Sequence, residues 1–306
     1  MTMPLDLTTL RKEIDTINLE MARLFLRRQD VSAEVAAYKR EHGLPVLDRE
    51  RENAILESMA AVAGPERAAS VRCFFQEVMA LSRGSQIRDL HPDSPLRRAI
   101  CAAVALGQGG FPAKEPTVVS VGAPGGYGAQ AARRMFPALP KLSFPGRMAE
   151  VLKAVREGAA NYAVVPLENN QMGTATSVYD TLRQHGLYIV RTALLPVGPA
   201  DATAFSRYAC VAHELEISPD ADRVSLLVTL PHEPGTLQRL LAQFAVVGVN
   251  LEKISSRPRP GRPHELQFYL TLAAKAASPG FLDLLAYFTS ELEICAFLGN
   301  YADCDA

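Results

Sequence analysis

"LLPVGPADATAFSRYACV", residues 194–211, holds an apolar strand-like run, a Gly-Pro-Ala-Asp turn and a second apolar run entered through Ser206-Arg207-Tyr208. Gly198 and Pro199 break a strand and Asp201 suits a short connection, so two strands meet across a tight turn. Upstream of that turn the chain alternates strand "TVVSV", a helix from Gly128, a weak strand near Leu142, helix "MAEVLKAVREG", strand "YAVVPL", helix "SVYDTLRQHG" and strand "LYIVRTALL". Such alternation predicts an α/β layer with a mainly parallel sheet. Downstream, after Pro219-Asp220, come strand "VSLLVTL", helix "TLQRLLAQFAVVG", strands "NLEKISSRP" and "LQFYLTL", helix "GFLDLLAYFTS" and strand "EICAFLG". That βαββαβ order is the ferredoxin-like α+β arrangement. Residues 5–86 carry almost no strand signal and predict helices alone. Between them, 88–116 places Pro and Gly clusters around one short helical candidate and reads as a linker.

A chain of 306 residues suits two or three domains, each with its own core. Its 32 basic and 33 acidic residues leave a net charge of -1, so no global field draws it to nucleic acid or to a membrane surface. A small-molecule or protein partner is expected instead. Cys73, Cys101, Cys210, Cys295 and Cys304 are odd in number, scattered and free of C-x-x-C spacing, against both a disulfide framework and a zinc site. They read as reduced thiols in a cytoplasm. The start "MTMPLDLTTLRKEID" has charges where a signal peptide is apolar, and "AICAAVAL" is too short to span a bilayer, so a soluble protein is expected.

The first helix repeats Leu7, Leu10, Ile14, Ile17, Met21, Leu24, Arg28, Val31, Val35 and Tyr38 at alternating steps of three and four. Without an interior Gly or Pro it runs roughly 55 Å, longer than a small domain covers, and needs a partner helix from a second chain. Arg28 interrupts the apolar seam, and a buried guanidinium is costly unless an anion pairs with it. Lys39 lies three turns on along nearly the same face, and Arg11 sits beside the seam near the start. The helix alone leaves two readings open: a solvated face with an internal salt bridge, or an anion site. "LPVLDREREN" then puts Asp48 at an N-cap with Arg51 and Glu52 in the first turn of a second helix, and "FFQEVMALSRGSQ" brings Ser82 and Gln86 onto one face at i, i+4.

"LRKEID", "RR", "AEVAAYK", "DRERE" and S-x-x-x-Q, in this order, resemble the all-helical class of chorismate mutase. The resemblance implies that Arg28, with Arg11 from the other subunit of a homodimer, holds the two carboxylates of chorismate. It further implies that Lys39 and Gln86 bond the ether oxygen, that Asp48, Glu52 and Ser82 position the ring hydroxyl and nearby polar atoms, and that Arg51 supports the carboxylate end. No cofactor or metal is implied. A pericyclic rearrangement to prephenate needs only a folded conformer and stabilised charge on the ether oxygen.

The Gly-rich turn in "VSVGAPGGYGAQAA" invites a dinucleotide reading, but its spacing is not G-x-G-x-x-G. Together with "YAVVPLENNQMG" it resembles prephenate dehydratase, with Glu168 and Asn169 in that family's Glu-Asn loop and Ser206-Arg207-Tyr208 in place of its Thr-Arg-Phe. Asn170 stands where the family has Ser or Thr, and Gly126 and Gly128 stand where it has hydroxyl residues. In the family a second α/β lobe lies between the strand like "LYIVRTALL" and the return through Thr-Arg-Phe; here the return is immediate, as though that lobe were removed. The final segment resembles an ACT domain, with Gly235-Thr236-Leu237 at its turn and Ser256-Arg257-Pro258 in its effector motif, where Ser255 replaces a Glu. That implies L-phenylalanine as an allosteric effector.

The expected organisation is therefore a multidomain chain: an all-α chorismate mutase bundle at 1–90, a linker at 91–116, a truncated α/β prephenate dehydratase lobe at 117–214 and a ferredoxin-like ACT domain at 222–306. The expected function is chorismate mutase, an isomerase of phenylalanine biosynthesis, with no dehydratase turnover. Two alternatives stay open: a fully bifunctional enzyme making phenylpyruvate, and a non-catalytic amino-acid sensor regulating a separate dehydratase.

Overall fold

The computed structural model describes residues 6–90, 93–108, 110–112, 116–136, 138, 140–170, 173–198 and 204–304. The chain divides into two compact units, Met1–Pro92 and Asp93–Ala306.

The first unit is three helices, α1 (Leu7–Glu41), α2 (Arg49–Ala63) and α3 (Ala68–Leu90). Asp6 caps α1 by accepting from the Thr8 and Thr9 amides, and Asp48 caps α2 by accepting from the Arg51 amide at 3.0 Å. With 35 residues at about 1.5 Å each, α1 is about 52 Å long. Helix α3 packs against both others, yet α1 buries only Ala36. Its apolar seam is open, with Ile14 55% and Leu24 65% exposed. The periodicity predicted that stripe; a single chain does not cover it.

The second unit opens with α4 (Pro95–Gly107), capped by Ser94, whose hydroxyl accepts from the Arg97 amide at 3.2 Å. This segment, read from sequence as linker, is packed structure. Ile100 and Ala103 are buried, and Arg97 pairs with Asp283 at 2.9 Å. Leu96, Ile100, Ala103 and Val104 fall on one side of the helix, so they demand a covering partner that a linker would lack.

There follow β1 (Thr117–Val121), α5 (Tyr127–Met135), β2 (Lys141–Gly146), α6 (Met148–Arg156), β3 (Tyr162–Asn169), β4 (Gly173–Thr174), α7 (Thr176–His185), β5 (Tyr188–Pro196) and β6 (Phe205–Ala212). The remainder is β7 (Arg223–Pro231), α8 (Thr236–Val246), β8 (Asn250–Arg259), β9 (Arg262–Ala273), α9 (Pro279–Glu291) and β10 (Cys295–Asp303). One sheet runs β2-β1-β3-β6-β5-β10-β7-β9-β8, with β4 paired to β3.

The sheet is not mainly parallel. Strand β1 is parallel to β2 and β3, whereas β6 lies antiparallel between β3 and β5. The cause is the short connection: β5 turns straight into β6, with Pro196 opposite Phe205 and the Val197 amide bonded to the Ala204 carbonyl at 2.9 Å. Two strands joined so closely can only pair antiparallel. Strands β10-β7-β9-β8 are mutually antiparallel and form the ferredoxin-like order. Strand β10 also runs parallel to β5, with Ala302 opposite Arg191 and Asp303 opposite Thr192. A shared core crosses that joint, Leu167, Tyr179 and Ile189 packing in one cluster with Leu227, Tyr269 and Tyr301.

Candidate functional site

In the first unit a cavity of about 310 Å³ lies among the three helices. Helix α1 contributes Arg28, Ser32, Val35 and Lys39; the turn and α2 contribute Val46, Asp48, Arg51, Glu52 and Ile55; α3 contributes Met79, Ser82, Arg83 and Gln86. All sequence-predicted residues of this set except Arg11 meet there. Arg11 is exposed and lies seventeen residues before Arg28, about 26 Å along the same helix, so it cannot reach this cavity from its own chain.

Polar groups in the cavity are oriented by one another. Arg28 Nη1 donates to Ser82 Oγ and, at 3.5 Å, to the Val78 carbonyl; Ser82 Oγ donates in turn to Gln29 Oε1 at 2.7 Å. Lys39 Nζ donates to the Val46 carbonyl, and Gln86 Nε2 donates to Ser32 Oγ at 2.7 Å. Burial lowers the pKa of Arg28 and nearby Glu52 raises it, and a guanidinium keeps its proton regardless. Arg83, which the sequence reading missed, pairs with Glu52. Its signal was available: position 83 is one turn from Gln86 at i, i+3 and adjacent to Ser82. Four cations against two carboxylates give the cavity walls a formal charge of +2. Such a pocket suits a small dianion.

The second unit holds a cavity of about 610 Å³ lined by Glu168, Asn169, Asn170, Arg207 and, from the ferredoxin-like strands, Arg223, Glu252, Lys253 and Ser255. Arg207 Nε donates to Glu168 Oε1 at 2.8 Å, Lys253 pairs with the other Glu168 oxygen, and Arg207 also pairs with Asp303. Ser206 does not line this cavity; it is buried, accepting from Asn169 Nδ2 at 2.8 Å. Asn170 Oδ1 accepts from the Phe205 amide at 2.9 Å, and Tyr127 Oη accepts from the Gly198 amide at 2.8 Å. Both bonds tie down the short β5–β6 connection. Sequence gave no signal for Lys253 or Asp303, which act on Glu168 and Arg207 from far along the chain.

This half-buried clasp is testable. In a double-mutant cycle of Glu168→Gln and Lys253→Met the coupling is expected to be about 1 kcal/mol, discounted because Lys253 is one-third exposed. Additive shifts in thermal unfolding would show that the two side chains do not depend on each other.

A third depression, of about 700 Å³, is lined by Gly235, Thr236 and Leu237 with apolar Leu241, Ala245, Leu266 and Phe268. Ser256, Arg257 and Pro258 lie elsewhere, on edge strand β8, and do not line it within one chain. Arg257 pairs with Asp180 and lies 5.7 Å over the Tyr269 ring. Among the described residues no group of three or more His, Cys, Asp or Glu side chains is placed to hold a metal ion, and no helix is long and apolar enough to cross a membrane.

The cavity in the first unit lies within residues 10–87, which match the family model of chorismate mutase type II; residues 118–200 match that of prephenate dehydratase, the match ending inside the β5–β6 connection. The chain thus carries a chorismate mutase type II match followed by a prephenate dehydratase match, the domain pairing of the bifunctional chorismate mutase/prephenate dehydratases it resembles. A bifunctional chorismate mutase/prephenate dehydratase of Enterobacter agglomerans is 29% identical over 208 residues, 64% of this chain and 50% of that protein. The chain spans about half the length of the curated relatives it matches. Prephenate dehydratase of Streptococcus mutans superposes with a TM-score of 0.52 at 26% identity, over 61% of this chain and 98% of that one. Prephenate dehydratase of Arthrobacter aurescens in complex with L-Phe has the same TM-score at 22% identity, over 62% of this chain and 90% of that one, a likeness of fold alone.

Proposed function

We propose that this protein is a chorismate mutase that releases prephenate without dehydrating it. The observation that carries the reading is the +2 cavity that gathers Arg28, Lys39, Asp48, Arg51, Glu52, Ser82 and Gln86 from three helices. Arg28 holds one substrate carboxylate and Arg11 of a second copy holds the other, with Arg51 supporting that end. Lys39 has two ammonium protons beyond its bond to Val46, and they face the ether oxygen. Ser32 can donate as well as accept, so a half-turn of the Gln86 amide keeps their bond and presents Nε2 to the same oxygen. Fixed donors aimed at the charge that develops as the ether bond breaks supply the rate enhancement, and the walls of the pocket supply the folded conformer. Glu52, Asp48 and Ser82 position the hydroxyl and ring.

The open seam of α1 supports a homodimer, since pairing it with a second α1 covers Ile14, Ile17, Met21 and Leu24 and carries Arg11 to the partner's cavity. The domain reading is a mutase at 1–90, a connecting segment at 91–116, a one-lobed dehydratase remnant at 117–214 and an ACT domain at 222–306, in which the Gly235–Leu237 depression takes L-phenylalanine. The Phe complex of the Arthrobacter relative supports that effector. The five cysteines, none of them in a disulfide, fit a cytoplasmic setting.

The dehydratase match at 118–200 favours a second reading, in which both steps are catalysed. Against it, Glu168 and Arg207 are occupied by Lys253 and Asp303, and Ser206 is buried behind Asn169. Dehydration needs prephenate enclosed and its leaving hydroxyl met by a donor. The purified protein is therefore expected to consume chorismate and accumulate prephenate at neutral pH. Phenylpyruvate forming at a catalytic rate, and lost in Ser206→Ala, would establish the second reading instead. A chain that consumes no chorismate would support the sensor alternative.

A further inference from the structure

We infer that Arg83 is a positioning residue of the helical cavity, which keeps Glu52 away from Arg28 and so keeps Arg28 available to a dianionic substrate. The inference rests on the mutase reading and deepens it. Glu52 stands between two guanidiniums: it pairs with Arg83 across α2 and α3, and its charge is felt by Arg28 on α1. Both members of the pair are largely shielded, Arg83 being 14% and Glu52 24% exposed, so the pair is held in a low-dielectric wall rather than in solvent.

A carboxylate in a pocket that must admit two more carboxylates is a liability unless a cation holds it. Arg83 supplies that cation. Without it the walls fall from a formal +2 to +1, and the charge of Glu52, no longer held on α3, is left acting on Arg28. Arg28 would then be spent on an internal ion pair, and its bond to Ser82, which orients the guanidinium, would compete with a charged acceptor. The loss is one of binding: the ether-oxygen donors Lys39 and Gln86 are untouched by the change, so KM should move and kcat should not.

The test compares the wild-type chain, Arg83→Met, Glu52→Gln and the double variant, each checked for helical content by circular dichroism. Arg83→Met is expected to raise KM for chorismate about tenfold or more with kcat within about threefold, and the same substitution should raise KM much less in the Glu52→Gln background, whatever Glu52→Gln costs by itself, because a neutral amide needs no cation to hold it. Arg83→Lys should keep KM within about threefold, since the charge is retained. If Arg83→Met does not fold, Arg83→Gln carries the same comparison. A KM within twofold of wild type in the charge-removing variant, or an Arg83→Met effect undiminished in the Glu52→Gln background, overturns the inference. Calorimetric binding of a bicyclic dicarboxylate that mimics the cyclic transition state, run on the same chains, separates the two failures. A wild-type chain that binds the mimic yet turns over no chorismate sinks the mutase reading, and the dissociation constants still report on Arg83. Constants unchanged across the variants, or no binding by any chain, overturn the role of Arg83.

Discussion

Arg28→Ala is expected to lower kcat/KM for chorismate about a hundredfold or more, because a charge-assisted bond to the substrate inside a shielded cavity is worth about 3 kcal/mol of transition-state stabilisation. Helical content should not change, since Arg28 is only half-buried and alanine is a strong helix former that keeps every backbone bond of α1. The effect has a geometric companion. Arg11→Ala should be as inactive as Arg28→Ala, although Arg11 touches nothing in its own cavity. Mixing the two inactive chains should restore activity, because a mixed dimer regains one site that has both arginines, up to about a quarter of wild-type turnover in a random mixture. Near wild-type turnover in both single variants would dismiss the site. No recovery after confirmed subunit exchange would place both arginines in one chain or remove Arg11 from the mechanism.

Gly299→Ala is expected to destabilise the second unit by about 3 kcal/mol or more. Gly299 has φ +139° at the bulge in β10, and a Cβ there would stand 2.1 Å from the Ile189 carbonyl oxygen of β5. The obstacle is backbone, which cannot swing aside as a side chain can. Either β10 separates from β5 or the bulge deforms, and both disturb the buried cluster around Ile189 and Tyr301. Thermal unfolding of the second unit reads this directly. Mutase turnover in the same variant should persist below the transition, because the proposed site lies wholly within the first unit. An unfolding midpoint within a degree of wild type would show that the close approach is relieved at no cost.

How much of this could be read beforehand follows the range of the interactions involved. The helical cavity was legible because each wall is a local pattern: Arg28 breaking a 3-4 seam, Asp48 at an N-cap, Ser82 and Gln86 at i, i+4. The spacing of Arg83 from Gln86 marked its face of α3, but its role escaped because that is fixed by Glu52 on another helix. The ferredoxin-like order was visible in the succession of strand and helix patterns, whereas strand direction was not. Periodicity marks a strand equally well whichever way it runs, so a hairpin between β5 and β6 passed for part of a parallel sheet. Lys253 and Asp303 reach Glu168 and Arg207 only because β10 docks on β5, a pairing between segments about a hundred residues apart with no local signature.

The tight β5–β6 connection also bears on how the second unit assembles. A strand pair separated by a long insertion must wait for that insertion to find its own shape, and the entropy of loop closure is charged before any pairing is rewarded. Here the ends meet across residues 197–204, with the Val197–Ala204 bond closing the ladder and the register running from Pro196–Phe205 to Tyr188–Ala212. Such a hairpin can zip on the microsecond scale and present two ready edges, one for β3 and one for β10. The sheet can then grow outward from its middle strands, with the short turn acting as the seed of the whole layer.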